Sequence, residues 1–538
     1  MNVQKPADDH PLQAQALAEA GLSAQLKGEL VQARSLYHQA LALEPSLFQA
    51  CFNLGLSYYP NRKQTGESIY WFRRTLALNP AHLKATMLLA ECLYWQGEVK
   101  ASLQTVLRTL PEGNPQAFSN WTAAEQLQLR KRQMMAESWV LKTAFALAEF
   151  SEQDFLQLLR AWAIKWADPL LPVPPAQAVT HSGKIRLGYF SQEFGGFSSS
   201  YLMTPLLAGH DRERFELIAF SDAPDSQASD KNFKPLFDRW VSVYGCEASE
   251  TARLIKGHKI DILLDLGGHT HPERLLLFAG KPAPLQITGL GFGTPVALKA
   301  MDGFITDPQI FPAELAEWIP EEVCYLSSAL HWIPPEEEIP IRSRPAERPF
   351  IFGSANGLYK LSEPCLNTWA EILKACPESY LSLKAAPLAS AETRRYYHDF
   401  FSARGVNPNR LLLQATEGRR QHLENFYNGI DLALDPFPYH GGVTSCEALW
   451  MGVPVLAMAG RIRCAESILL RLGLEDWLMP DTQAYVQKAS EIYRQPEILH
   501  PLKFSLRQKL LNSVFCDMPR YVRETEAHYL RLWQKISS

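Results

Sequence analysis

Two heptapeptides, QALALEP (39–45) and RTLALNP (74–80), recur 35 residues apart, and each closes an apolar, helix-periodic run on a proline. Proline lacks an amide hydrogen and its ring clashes with the preceding turn, so it stops a helix. The residues between the two stops fall in register. Gly21, Gly28, Ala33, Tyr37, Ala40 and Pro45 form one set, Gly55, Tyr58, Ser68, Phe72 and Pro80 a second, and Ala90, Gly97, Ser102 and Thr109 a third.

Small residues recur where paired helices must approach closely, and the aromatic residue plugs the space between them. An ordinary helical hairpin domain has the same ingredients, but the spacing, close to 34 residues, is that of tetratricopeptide repeats, whose units bury their apolar faces only against one another. About three units over residues 1–115 are expected. The pattern stays helical as a connector over 116–180, through DFLQLLRAWAIKWA, and breaks at the proline-rich LLPVPPAQAVTHSG.

Beyond that break the period changes. Short runs rich in aliphatic and β-branched residues alternate with helix-like segments: KIRLGYFS, FELIAFS, DILLDLGG, PLQITGL and GFITD. A second series follows PPEEEIPIRSRP: RPFIFGSAN, YLSLKAA, RLLLQAT, IDLALD and VPVLAM. Nearly continuous apolar strands separated by helices point to parallel sheets covered on both faces. The expected fold class is α + α/β, a helical array followed by two Rossmann-like lobes. Their ranges are 181–335 and 345–520, with a closing helix over 521–538. In open parallel sheets ligands bind at the carboxyl ends of the strands, which directs attention to the loops there.

Length agrees with this division, because 538 residues exceed what one hydrophobic core holds. A formal charge of -4 does not favour nucleic acid as a partner. The start, MNVQKPADDHPLQ, has no basic segment followed by an apolar run, and no stretch approaches the roughly 20 apolar residues that cross a bilayer. A cytoplasmic protein without membrane contact is expected. Its nine cysteines are dispersed and form no CxxC pair, which fits reduced thiols rather than a disulfide framework or a zinc site.

The stretch LDPFPYHGGVTSCEALWMGVP (434–454) joins one expected strand to a helix and the next strand. Gly441 and Gly442 let backbone approach a ligand, and Thr444 and Ser445 stand where helix amides and the helix dipole favour a phosphate. The same residues also read as a T-x-x-E capping box, with Thr444 accepting from the helix amide and Glu447 reaching back. Spacing leaves both readings open.

This stretch resembles the nucleotide-sugar segment of the O-linked N-acetylglucosamine transferases, particularly the bacterial and plant SPINDLY-type branch, where tetratricopeptide repeats precede two catalytic lobes. Further segments agree in the same order: DILLDLGGHT with KPAPLQIT, MDGFITD, FGSANGLYKL, NRLLLQAT and EAHYLRLWQKI. The resemblance implies a GT-B glycosyltransferase that needs neither metal nor other cofactor. It would invert the anomeric centre while moving N-acetylglucosamine from UDP-GlcNAc to Ser or Thr of protein acceptors, held by the repeats and the cleft. Lys360, with Asn356 in the same segment, matches the lysine that meets the diphosphate. A fixed cation is what a metal-free leaving diphosphate requires as negative charge grows on it. By the same match Thr444 contacts phosphate, Glu447 takes the ribose hydroxyls, His422 lies near the base, and Arg419 stands where animal members carry lysine.

The first lobe departs from the family pattern. In YFSQEFGGFSSSYLM, Phe197 replaces a family histidine, and Glu193 and Tyr201 stand where Asp and often His are usual. Phenylalanine neither accepts a proton nor donates a hydrogen bond. The loop usually written WLGYPGTTG is GLGFGTPVA (289–297), Val443 replaces a threonine, and GRIRCAESILLRLGL is about three residues short. If a base acts here, His269 after the strand DILLDL is the first candidate and Glu193 the second, while a donor phosphate oxygen taking the proton needs neither. The alternatives are another donor such as GDP-fucose, or a catalytically degenerate scaffold that binds nucleotide sugar or peptide.

Overall fold

The computed structural model describes residues 10–59, 61–110, 123–172, 183–192, 194, 198–223, 233–270, 274–291, 293–345 and 347–537. Its first seven strands are β1 (Ile185–Ser191), β2 (Phe215–Ser221), β3 (Arg239–Ser242), β4 (Ile262–Asp265), β5 (Leu285–Thr288), β6 (Gly303–Thr306) and β7 (Glu322–Tyr325). A further six follow: β8 (Ile351–Ser354), β9 (Tyr380–Lys384), β10 (Leu411–Gln414), β11 (Leu432–Leu434), β12 (Val455–Met458) and β13 (Leu478–Met479). Two compact units divide the chain, Met1–Trp139 with Glu347–His422, and Val140–Ala346 with Leu423–Ser538.

The first unit begins with three helical hairpins: α1 (His10–Leu26) with α2 (Leu30–Leu43), α3 (Phe48–Tyr58) with α4 (Thr65–Leu78), and α5 (Leu83–Gln96) with α6 (Val99–Leu107). The repeat's small residues are small for a measurable reason. A Cβ on Gly21 would stand 2.7 Å from Tyr37 Cε1, and one on Gly55 would stand 2.6 Å from Phe72 Cε1, so equivalent glycines receive equivalent aromatic plugs. The apolar interior follows, with Ala33, Tyr37, Ala40 and Leu54 in one cluster and Ile69, Phe72, Leu89 and Leu93 in the next. In the third hairpin Ser102 Oγ donates to the Ala90 carbonyl at 2.6 Å and accepts from Trp139 Nε1 at 2.9 Å, satisfying polar atoms at the close contact. The same unit holds β8, β9 and β10, parallel and in the order β10-β9-β8, with the helices Glu363–Ala375 and Ala391–Ser402.

The second unit carries a seven-stranded parallel sheet in the order β3-β2-β1-β4-β5-β6-β7. Its order reverses between β1 and β4, the switch point where open α/β sheets place a ligand crevice. Leu187, Tyr189, Leu217, Leu264 and Ile287 build its core. The final helix, Met518–Ser537, starts three residues before the expected 521 and lays Val522, Tyr529, Leu532 and Trp533 onto that core. These positions share one helical face. Strands β11, β12 and β13 also belong to this unit, parallel and in that order.

Each of the ten apolar runs contains a strand. The three unexpected strands are β3, β7 and the two-residue β13. The β3 sequence RWVS is exposed or half-buried throughout, and β7 places Glu322 and Tyr325 among its four residues, so neither shows the continuous apolar character of a central strand. Between 123 and 172 the chain forms the helices Ala123–Ala144 and Glu152–Trp162, the latter opened by a Ser151/Asp154 capping box. No disulfide joins any of the nine cysteines, and no described helix is long and apolar enough to cross a membrane.

Candidate functional site

Directly after β11 comes Asp435, a buried carboxylate that sets the course of the following loop. It accepts the Gly441 amide at 3.0 and 3.2 Å and the Ser445 hydroxyl at 2.8 Å. The loop therefore folds back over the strand end, and the helix Val443–Trp450 starts there with Gly442 as its N-cap. Gly442 has no side chain with which to cap, so the capping-box reading is corrected: Thr444 is the second helical residue, and its hydroxyl does not occupy the cap position. The Tyr427 hydroxyl stands 3.0 Å from the Thr444 carbonyl and 3.2 Å from Glu447 Oε2, donating into that pair.

The two glycines differ physically. A Cβ on Gly441 would meet Ser445 Oγ and Thr444 Oγ1 at 2.6 Å and Asp435 Oδ1 at 2.7 Å, whereas on Gly442 the nearest atom would be 3.8 Å away. Gly441 is required by the protein's own packing. Gly442 is half-buried, and a Cβ there would make only ordinary contacts with Cys464 and Leu330; it stands at a helix start, where backbone amides and the helix dipole favour an anion. Thr444 is half-buried beside it, while Ser445 is buried with its hydroxyl turned to Asp435. Behind the loop, the buried His440 has Nε2 2.7 Å from the Met458 carbonyl and accepts the Glu466 amide at Nδ1, which fixes the ring.

In the first unit, Lys360 closes the 3-10 turn Leu358–Lys360 after β8. Its amide donates to the Gly357 carbonyl at 2.9 Å, and its carbonyl accepts the Ser362 amide at 3.0 Å. Ser362 in turn caps the helix Glu363–Ala375 through the Cys365 amide. Lys360 is half-buried, and the buried Asn356 donates to Ser354 Oγ at 3.3 Å. Arg419 opens a single helical turn, Arg419–Gln421, and the half-buried His422 follows with its amide on the Gly418 carbonyl at 2.8 Å. A π-helical stretch, His422–Tyr427, begins at that histidine.

His269 lies in the turn Gly268–Thr270 after β4, in the second unit. Asp265 shapes that turn by accepting the Gly267 and Gly268 amides and the Thr288 hydroxyl. The histidine is 0% exposed, its Nε2 is 3.2 Å from the Val296 carbonyl, and its Nδ1 has no hydrogen-bond partner. Burial pushes its pKa down to about 4. An enclosed imidazole of that acidity holds the loop after β5 but is not poised to take a proton from an acceptor near neutral pH. Glu321 supports the same loop by accepting the Val296 and Ala297 amides, and its burial raises its pKa to about 7. Glu193 and Phe197 lie outside the described residues.

Two charged residues at strand ends went unmarked in the sequence. Asp435 organises the helix start, and Lys384, 1% exposed at the end of β9, pairs with Glu417 at 3.1 Å. Both are polar residues ending an apolar strand, the signal that could have marked them.

Residues 172–333 and 342–525 match Glycosyl transferase family 41. A Solanum lycopersicum protein named "Probable UDP-N-acetylglucosamine--peptide N-acetylglucosaminyltransferase SPINDLY" is 31% identical over 360 residues, 65% of this chain and 39% of that protein. The Oryza sativa subsp. japonica protein of the same name is 32% identical over 360 residues, again 65% of this chain and 39% of its own length. The chain thus spans about two fifths of the length of these curated relatives. A solved Thermobaculum terrenum O-GlcNAc transferase mutant is 29% identical, with a TM-score of 0.85 over 100% of this chain and 99% of that one. Helical repeats followed by GT-B lobes are therefore the architecture here. With the two matched segments covering more than half of its residues, the chain belongs to Glycosyl transferase family 41.

Proposed function

We propose that the chain is an inverting, metal-independent protein O-glycosyltransferase that moves N-acetylglucosamine from UDP-GlcNAc to Ser or Thr side chains. The observation that carries this reading is the helix start at Gly442, which has no side-chain cap and is held by Asp435 at the carboxyl end of β11. Such a start suits a diphosphate. In this reading Lys360 supplies the fixed positive charge, Thr444 a hydroxyl contact, Glu447 the ribose contact, and Arg419 and His422 the surroundings of the base.

The acceptor hydroxyl attacks C1 of the sugar from the face opposite the nucleotide, and the bond from C1 to the diphosphate oxygen breaks with its electron pair on that oxygen. Lys360 and the helix start offset the charge that appears there. The hydroxyl proton passes to a phosphate oxygen of the donor, a route supported by the enclosure of His269. Acceptors are protein segments held by the repeats and the cleft, and the setting is the cytoplasm. Phe197 in place of the family histidine favours a second reading, a nucleotide-sugar-binding scaffold without turnover.

The test uses the purified full chain with a panel of UDP- and GDP-sugars, measuring binding, hydrolysis and transfer to peptide, alongside Lys360→Ala. Transfer from UDP-GlcNAc, reduced at least about a hundredfold in Lys360→Ala, is expected. Binding without turnover for every donor would select the scaffold, and preferred transfer from GDP-fucose would replace the donor. Absence of nucleotide binding would remove the pocket assignment itself.

A further inference from the structure

The end of the third repeat is built against the turn that carries Lys360. Helix α5 finishes with Tyr94, Gln96 and Gly97, all within the first compact unit together with residues 358–360. The Tyr94 ring is stacked on Tyr359, with centroids 4.9 Å apart and planes at 16°, and Tyr94 is 6% exposed. Tyr359 also lies against Gly357, where a Cβ would stand 2.5 Å from Tyr359 Cε1. Gly97 ends the helix at φ 95°, and a Cβ there would meet Tyr397 Oη at 2.4 Å and the Leu358 carbonyl at 2.9 Å. The buried Gln96 completes the contact: its carbonyl accepts the Tyr397 hydroxyl at 3.2 Å, and its Oε1 accepts the Thr393 hydroxyl at 3.1 Å.

The stacked Tyr359 ring leaves the residue that follows it, Lys360, little freedom, and the Gly357 and Ser362 hydrogen bonds fix the lysine backbone on both sides. A repeat that served only to hold acceptor protein would not require this. We propose that Tyr94 is a positioning residue for Lys360, making the third repeat unit part of the donor-phosphate site. The inference rests on Lys360 meeting the diphosphate, as proposed above. A displaced ammonium loses contact with the phosphates while the nucleoside contacts, carried by other residues, persist.

The test compares UDP and uridine affinity by calorimetry in the full chain, a readout of the phosphate contacts that does not need turnover. Tyr94→Leu removes the stack but keeps apolar volume, Tyr94→Phe keeps the stack, and thermal unfolding checks that each variant is folded. Tyr94→Leu is expected to weaken UDP about tenfold and uridine less than about twofold, with Tyr94→Phe restoring UDP affinity. In a Lys360→Ala background Tyr94→Leu should change UDP affinity by less than about twofold, because the residue through which it acts is gone. If Lys360→Ala leaves UDP affinity unchanged, the phosphate role of Lys360 falls and this inference falls with it. If Lys360→Ala weakens UDP while Tyr94→Leu does not, or weakens it equally in both backgrounds, the positioning role alone is overturned. Failure of Tyr94→Leu to fold leaves Tyr359→Leu for the same comparison, with the same outcomes deciding.

Discussion

Gly441 and Gly442 are adjacent and have different reasons to be glycine, a distinction that mutation should expose. Gly441→Ala drives a Cβ into three oxygens at 2.6–2.7 Å and should cost about 1–3 kcal/mol in urea unfolding. Gly442→Ala makes only ordinary contacts and should change stability by less than about 0.5 kcal/mol, yet weaken UDP about tenfold in calorimetric titration if a phosphate meets that helix start. His269 supplies a second residue-scale prediction. Its folded pKa of about 4 lies below the ordinary value of 6.5, so the unfolded chain binds more protons between those two pH values. Stability contributed by this site is therefore fully present above pH 6.5 and declines as pH falls toward 4, by a total of order 3 kcal/mol. Urea unfolding at pH 7.5, 6 and 5 should show that slope, and His269→Gln should flatten it; an unaltered slope would count against the assignment.

Among the elements, the helical hairpins were legible because their packing rule is local. Gly55 must be small for Phe72 to lie on it, so Gly55→Ala should destabilise by about 1–3 kcal/mol, seen as an earlier thermal transition. Phe72→Leu in the same chain should recover part of that loss by withdrawing the ring. Central strands were equally legible, since burial on both faces leaves a continuous apolar run, as in the fully buried ILLD of β4. Edge strands such as β3 carry no such mark. The helix start at Gly442 was not legible either, because T-x-x-E is a sound capping pattern by itself. Asp435 overrode it by holding the Gly441 amide and the Ser445 hydroxyl, which puts the helix start two residues before the expected cap's first helical position.

At the scale of the whole molecule, the last helix is part of the second unit's core. Glu526 accepts His210 Nδ1 at 2.8 Å and the Asp211 amide at 2.9 Å, while the buried His210 has Nε2 2.5 Å from the Tyr189 hydroxyl. Glu526→Ala leaves two inward-facing donors without their acceptor and should cost about 2 kcal/mol, with faster amide exchange across Met518–Ser537. Unchanged exchange there would mean that apolar packing alone secures the helix. The repeat register, the alternation of strand and helix, and the order of the family's motifs were determined by the sequence alone, because periodicity and turn chemistry act over a few residues. The tertiary structure decided that Ser445 turns to Asp435, that His269 is enclosed, and that Tyr94 lies on Tyr359. Each of those outcomes depends on burial and on the identity of a partner, and for His269 and Tyr94 that partner comes from a distant part of the chain. Spacing along the sequence carries no measure of either.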